Sequence, residues 1–385
     1  MPHRLPTAVT AAAALLLAAG CSADGAGPAP GAPSPERSAA AVTGPERNVS
    51  PPPAEGSAEV TRTLATGLDS PWGVAALPGG DLLVGSRDKG TLTRVSARDG
   101  RKTEVGAVPG TAPGGEGGLL GLAVSPSFRG DPLVYAYVTT ASDNRIVRMS
   151  YDDTRRPGDQ LGAPSTVLRA IPKGRIHNGG RLAFGPDRML YASTGETGRE
   201  ELAQDRKSLG GKILRMTPDG APARGNPDPR SVVYSYGHRN VEGLAWDGAK
   251  RLWASEFGED TWDELNLIEP GRNYGWPARE GKGPAGGGYV DPVLTWKPAD
   301  ASPSGLAYAK GSLWMAALRG ERLWRVPLDG TRPAAAPQAF LTKRYGRLRT
   351  VLPADDGALW LVTGETDGRG RPRKGDDRIL RVTVG

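Results

Sequence analysis

A single cysteine and three histidines in 385 residues close off several kinds of chemistry. Cys21 alone cannot build a disulfide framework or a cysteine-rich zinc site. His3, His177 and His238 argue against a histidine-built metal centre. No segment carries a long helical period, and no span beyond the N-terminus is apolar enough to cross a membrane as a helix. The formal charge is +7, yet the basic residues are scattered. Without a basic helix or an aromatic-interleaved motif, no nucleic-acid partner is expected. The surplus reads either as a solvated basic surface or as a surface for an anionic ligand. What the chain has in quantity is glycine, 55 residues, and proline, 35 residues. Set between short apolar runs, they predict many short strands joined by turns.

Residues 1–20 read as a leader. Arg4 gives a positive start, and Ala8 to Ala19 is an apolar run too short for an ordinary transmembrane helix. Leu17-Ala18-Ala19-Gly20-Cys21 resembles the bacterial lipobox, whose cysteine is lipidated, with the leucine one position further out than usual. A plain secretory signal with an incidental cysteine is the other reading. Residues 21–58 are rich in Pro, Ala, Gly and Ser, cannot bury a core, and read as a disordered tether. The expected location is extracytoplasmic, with the membrane reached only through a lipid on Cys21.

From residue 59 to 385 a unit recurs six times. Each copy opens with a small-residue and apolar strand: Gly73-Val74-Ala75, Leu122-Ala123-Val124, Leu182-Ala183-Phe184, Leu244-Ala245-Trp246, Leu306-Ala307-Tyr308 and Thr350-Val351-Leu352. A turn and a second apolar strand follow, such as Leu82-Leu83-Val84 or Leu359-Trp360, and a third strand often carries Arg, as in Thr93-Arg94-Val95. The copies are spaced by roughly 45 to 60 residues, the size of a four-stranded blade with its loops. The expectation is an all-β, six-bladed β-propeller. Glu59 to Ala65 precedes the first copy and is expected to supply the outer strand of the sixth blade, closing the ring and removing exposed sheet edges.

Strand direction then sorts the polar residues. First strands line the channel and second strands run antiparallel to them, so residues before every first strand and after every second strand share one end of the ring. That end, the top, collects Trp72, Glu116, His177 with Asn178, Arg239 with Asn240, Ser304, Arg347 and Arg349 from the first set. Glu196, Gly258 with Glu259, Arg319 and Glu365 come from the second.

Several motifs at these positions carry a resemblance. Gly115-Glu116-Gly117-Gly118-Leu119-Leu120-Gly121-Leu122, His177-Asn178-Gly179-Gly180-Arg181-Leu182 and Tyr236-Gly237-His238-Arg239-Asn240 are similar to the soluble PQQ-dependent aldose dehydrogenases, the glucose/sorbosone dehydrogenase propellers. Asn273-Tyr274-Gly275-Trp276-Pro277 and Arg347-Leu348-Arg349 follow in family order, and the likeness runs from about residue 64 to 383. The resemblance implies oxidation of an aldose at C1 to a lactone, with hydride passing to pyrroloquinoline quinone (PQQ) beside bound calcium. An external electron acceptor, a quinone or a cytochrome, would then reoxidise the cofactor.

Residue by residue, the resemblance makes His177 the general base; a histidine that merely orders the Asn178-Gly179-Gly180 turn is the alternative. Glu196 falls where the family has an acidic partner for this histidine, usually Asp. Yet Gly195-Glu196-Thr197 recurs as Gly364-Glu365-Thr366, so a blade turn is equally open. Arg347 and Arg349 match the pair that grips cofactor carboxylates, and their i, i+2 spacing puts both on one side of an extended segment. Arg319 replaces a family Lys. Arg239 and Asn240 match the groups beside the reacting quinone oxygen. Calcium is assigned to backbone carbonyls of Gly258 and Glu259, Glu259 standing where Pro is common, with Asp263 and Glu264 as further candidates or as an ordinary acidic loop. Glu116 and Trp296 match substrate contacts, Trp296 being read as an exposed loop aromatic. A non-catalytic carbohydrate- or protein-binding propeller is the alternative function. A calcium-dependent lactonase is disfavoured by a rim rich in Arg rather than channel carboxylates.

Overall fold

The inner strands of most repeats are buried along nearly their whole length and the outer ones are largely exposed or half-buried, which is the pattern of sheets stacked edge-on around an axis. The computed structural model describes residues 51–284 and 287–385. The leader, Cys21 and most of the tether lie outside the described residues. Six antiparallel sheets follow one another along the chain. Blade 1 comprises Pro71–Ala76, Leu82–Ser86, Thr91–Val95 and Lys102–Ala107. Blade 2 comprises Leu119–Val124, Leu133–Thr139, Asn144–Ser150 and Ser165–Ile171. Blade 3 has Leu182–Phe184, Leu190–Ser193, Lys212–Met216 and Val233–Tyr236, and blade 4 has Asn240–Trp246, Leu252–Phe257, Asp263–Ile268 and Leu294–Trp296. Blade 5 is built on Pro303–Ala309, Ser312–Ala317 and Arg322–Asp329, with Gln338–Phe340 outside them. Blade 6 has Leu348–Pro353, Leu359–Thr363 and Ile379–Val384 from the C-terminus, and its outer strand, Ala58–Ala65, comes from the other end of the chain. The expected closure of the ring is what is found.

Residues 51–57, which composition assigns to the tether, are held on the propeller. Arg325 donates to the carbonyls of Pro53 and Ala54, and Ser57 N–H to Gly385. A Pro- and Gly-rich segment lacks apolar side chains to bury but keeps its carbonyls, and a buried guanidinium needs acceptors.

Six apolar clusters hold the ring together, one between each pair of neighbouring blades. At the axis the first strands crowd one another. A Cβ on Gly73 would lie 2.1 Å from the carbonyl oxygen of Leu120, and one on Gly121 would lie 2.1 Å from that of Gly180. Only glycine allows that approach. In five blades the first strand also slips register near its start, between Pro71 and Val74, Leu119 and Leu122, Val241 and Gly243, Pro303 and Leu306, and Leu348 and Thr350. Such bulges re-aim side chains. The residues inside them include Trp72, Glu242, Ser304 and Arg349, which meet around the top of the channel.

Candidate active site

The top of the ring holds a cavity of about 1040 Å³, at the upper end of the roughly 300–1,000 Å³ of small-molecule sites. Its wall takes residues from all six blades, among them Trp72, Glu116, His177, Arg239, Asn240, Gly258, Glu259, Arg319, Arg347 and Arg349. The rim assembled by strand direction is therefore one continuous surface.

His177 sits in a left-handed turn (φ 52°) at the end of the loop into blade 3. Its N–H donates to Glu116 Oε2 at 2.9 Å, and its carbonyl accepts the N–H of Thr197 at 3.1 Å. A Cβ on Gly195 would come within 2.0 Å of that carbonyl, so glycine is needed for the two loops to meet. The contact brings Glu196 under the ring, where Oε1 hydrogen-bonds Nδ1. Glu196 is 1% exposed. A carboxylate only accepts, so Nδ1 carries the proton and Nε2 is left as the ring's acceptor. Of the two readings of Glu196, the histidine partner is the one its geometry supports. His238, in contrast, is a packing residue: it bonds Glu256 and Ser235 and stacks on Tyr274.

The cations are held by carboxylates that the sequence reading passed over. Arg347 donates Nε and Nη2 to Asp367 Oδ2, at 3.1 and 2.8 Å. Arg349 donates to the same oxygen and to Glu242 Oε2, both at 2.8 Å. Burial pushes the Asp367 carboxyl up, but Arg349 and Arg347 outweigh it and hold the group below its ordinary range. Glu242 also accepts from Ser304 Oγ at 2.8 Å, which accounts for that rim serine. Beneath this floor, buried Arg181 lies over the Trp72 ring at 4.3 Å and separates the cavity from an apolar pocket of about 310 Å³ at the other end of the channel. Arg239 is fixed by its N–H to Glu256 and by Nη1 to the Gly258 carbonyl at 2.7 Å; its buried Nε has no protein partner. Arg319 is exposed on the wall with no acidic partner among the described residues. Asn240 accepts the N–H of Gly179 and so braces the histidine loop from below.

Two expectations are corrected. Trp296 is not an exposed loop residue. It ends the outer strand of blade 4, is 7% exposed, packs on Trp324 with ring centroids 5.7 Å apart, and is absent from the cavity wall. Aromatic surface in the cavity comes from Trp72 and Phe257 instead. Glu264 likewise lies behind the wall, its oxygens accepting from Gly281 N–H and Asn266; burial and the neighbouring Glu256 push its carboxyl up. Asp263 reaches the wall, but its oxygens accept Gly258 N–H at 3.0 Å and Ser302 N–H at 2.6 Å. Burial pushes it up to about 6, against the pull of those two bonds. Glu264 does not reach the cavity, whereas Asp263 borders it and keeps one lone pair on each oxygen. Among the described residues no group of three or more His, Cys, Asp or Glu is arranged to hold a metal.

Comparison with known proteins agrees with the geometry. A family model described as Glucose / Sorbosone dehydrogenase matches residues 68–380. The aldose sugar dehydrogenase YliI of Escherichia coli (strain K12) is 30% identical over 333 residues, covering 78% of this chain and 89% of that one. The PQQ-bound aldose sugar dehydrogenase structure from Streptomyces coelicolor is 69% identical with a TM-score of 0.86, covering 87% of this chain and 100% of that one. The soluble aldose sugar dehydrogenase structure from Escherichia coli, in its apo-form, is 27% identical with a TM-score of 0.73, covering 86% and 99%.

Proposed function

Because this chain belongs to the glucose/sorbosone dehydrogenase family, we propose that it oxidises an aldose at C1 to the lactone with PQQ in the top cavity. One observation carries the reading: an imidazole with one nitrogen tied to a buried carboxylate borders a cavity walled by arginines. The fit to PQQ, a tricarboxylate quinone, rests on the donor set. Arg347, Arg349, Arg319 and Arg239 supply fixed positive charge; Arg347 and Arg349 keep N–H groups beyond those that Asp367 and Glu242 use, and the Arg239 Nε is a buried donor without an acceptor. When bound, PQQ supplies the two-electron acceptor for the hydride that leaves C1.

The chain's own residues do the rest. His177 Nε2 takes the proton of the C1 hydroxyl, a task suited to an imidazole near neutral pH. Glu196 holds the ring by Nδ1 and balances the imidazolium that forms. Arg239 and Asn240 border the reacting end, where positive charge and a fixed donor stabilise developing negative charge. Glu116 fixes the His177 N–H and retains lone pairs toward a sugar hydroxyl. Calcium belongs to the same proposal, on the carbonyls of Gly258 and Glu259. Two carbonyls fall short of the 6–8 oxygens calcium takes, so the ion should bind weakly until cofactor oxygens complete the shell. The external acceptor and the lipid-anchored, extracytoplasmic location implied by Cys21 are parts of this reading.

The full chain titrated with PQQ in the presence of calcium should bind it at micromolar concentration and then reduce a dye with aldoses. Chelation of calcium should release the cofactor. Failure to bind PQQ would remove the reading.

A further inference from the structure

Beside the cavity, between blades 5 and 6, runs a second groove of about 580 Å³. Arg319, Arg347 and Arg369 line both, so the two spaces are continuous. The groove wall carries eight cationic side chains against three acidic ones. Two of those acids are already spent. Glu365 accepts the N–H groups of Arg347 and Arg371, and Asp376 accepts from Arg378 and from the N–H of Arg373. Lys343, Arg344, Arg371 and Arg373 are exposed and have no acidic partner among the described residues. Cations crowded together in excess of the nearby acids cost stability, and nothing in the proposed oxidation of a neutral aldose uses them.

Position narrows what the groove would take. Arg369 Nη2 donates to Glu116 Oε1 at 2.6 Å, and the other oxygen of Glu116 accepts the N–H of His177. The groove therefore starts two contacts from the residue that would deprotonate C1. A saccharide with its reducing sugar at His177 can pass its remainder across Arg369 into the groove. The space is a trench on the scale of a small ligand rather than a flat face on which a redox protein would dock. Five-donor guanidinium groups favour carboxylate or phosphate.

We propose that this groove is an anion subsite for the substrate, and that the enzyme favours aldoses carrying a carboxylate or phosphate away from C1, above all acidic oligosaccharides. The proposal rests on the cavity being an aldose site. Arg344 from the loop before the first strand of blade 6 and Arg371 and Arg373 from the loop after its second strand line the groove together; an anion bound by them adds affinity to acidic substrates only.

The test compares cellobiose with cellobiouronic acid, the same disaccharide with a carboxylate on its distal sugar, using the PQQ-loaded full chain; glucose 6-phosphate against glucose forms a second arm. Cellobiouronic acid should show a kcat/KM about tenfold or more above cellobiose at low salt, with the advantage shrinking in 0.5 M salt. An advantage in the phosphate arm alone would assign the subsite to phosphate, and in the uronate arm alone to carboxylate. The double variant Arg371→Ala/Arg373→Ala, and separately Arg344→Ala, should lose most of that advantage while oxidising cellobiose and glucose at the wild-type rate. Equal kcat/KM for acidic and neutral partners in both arms, or an advantage untouched by either variant, overturns the subsite while leaving the dehydrogenase reading intact. If no sugar is oxidised, calorimetry of the same pairs decides the subsite separately, and equal affinity rejects it.

Discussion

The two nitrogens of His177 have separate surroundings, which is what a proton acceptor at a fixed position requires. Nδ1 is bound to a carboxylate shielded from water, and Nε2 has no protein partner among the described residues. Replacing Glu196 by Gln keeps an oxygen for the Nδ1 proton but removes the charge that balances imidazolium. With cofactor saturating, Glu196→Gln should lower kcat by about 10²-fold and leave PQQ affinity unchanged, as steady-state kinetics and a cofactor titration would report. An unaltered kcat would return Glu196 to a turn residue. The sequence could not decide between these roles because Gly-Glu-Thr occurs twice. At the second copy Glu365 accepts two backbone N–H groups, whereas Glu196 meets a ring, and only the loop preceding each blade makes the difference.

At the scale of strands, the repeats were legible because inner strands are short apolar runs between turn residues, and their direction was enough to gather the rim. What stayed hidden depends on local departures from regular strands. Glu242 stands inside a first strand, in a bulge between Val241 and Gly243, so a reading confined to the residues ahead of each strand misses it. Asp367 is reached only because the loop after the second strand of blade 6 folds back over Arg347 and Arg349. Trp296 was misread because a three-residue strand after a long loop has no visible period. Asp263 shows how an element end stores electrostatic cost. It heads the third strand of blade 4 and pins the N–H groups of Gly258 and Ser302, joining blades 4 and 5. Its folded pKa of about 6 lies above the ordinary 3.8, so between these values the folded state keeps a proton that the unfolded chain releases. The contribution to stability is present below pH 4 and is lost as pH rises through 6. Urea unfolding of wild type against Asp263→Asn should therefore show wild type losing about 2 kcal/mol relative to the variant from pH 4 to pH 6.5. A difference independent of pH would contradict the assigned shift.

For the whole molecule, ring closure does two things at once. The N-terminal strand completes blade 6 and leaves no blade without its outer strand, and the common direction of six first strands delivers one rim from each blade to one cavity. Parts far apart in sequence thereby become neighbours: Glu116 of blade 2 with Arg369 of blade 6, and Glu242 of blade 4 with Arg349 of blade 6. The site's cations come from several blades and converge on a cavity large enough for a cofactor and a sugar together. The proposed reaction requires His177 as base beside a cofactor that these arginines hold. Its most direct test is a stopped-flow record of the bound-PQQ spectrum after adding aldose without a dye, for the calcium-loaded wild type and for His177→Ala. Both proteins should bind PQQ with similar affinity, wild type should reduce it rapidly, and the variant should do so at least about 10²-fold more slowly. Reduction at the wild-type rate by His177→Ala, or loss of PQQ binding in that variant alone, would contradict it.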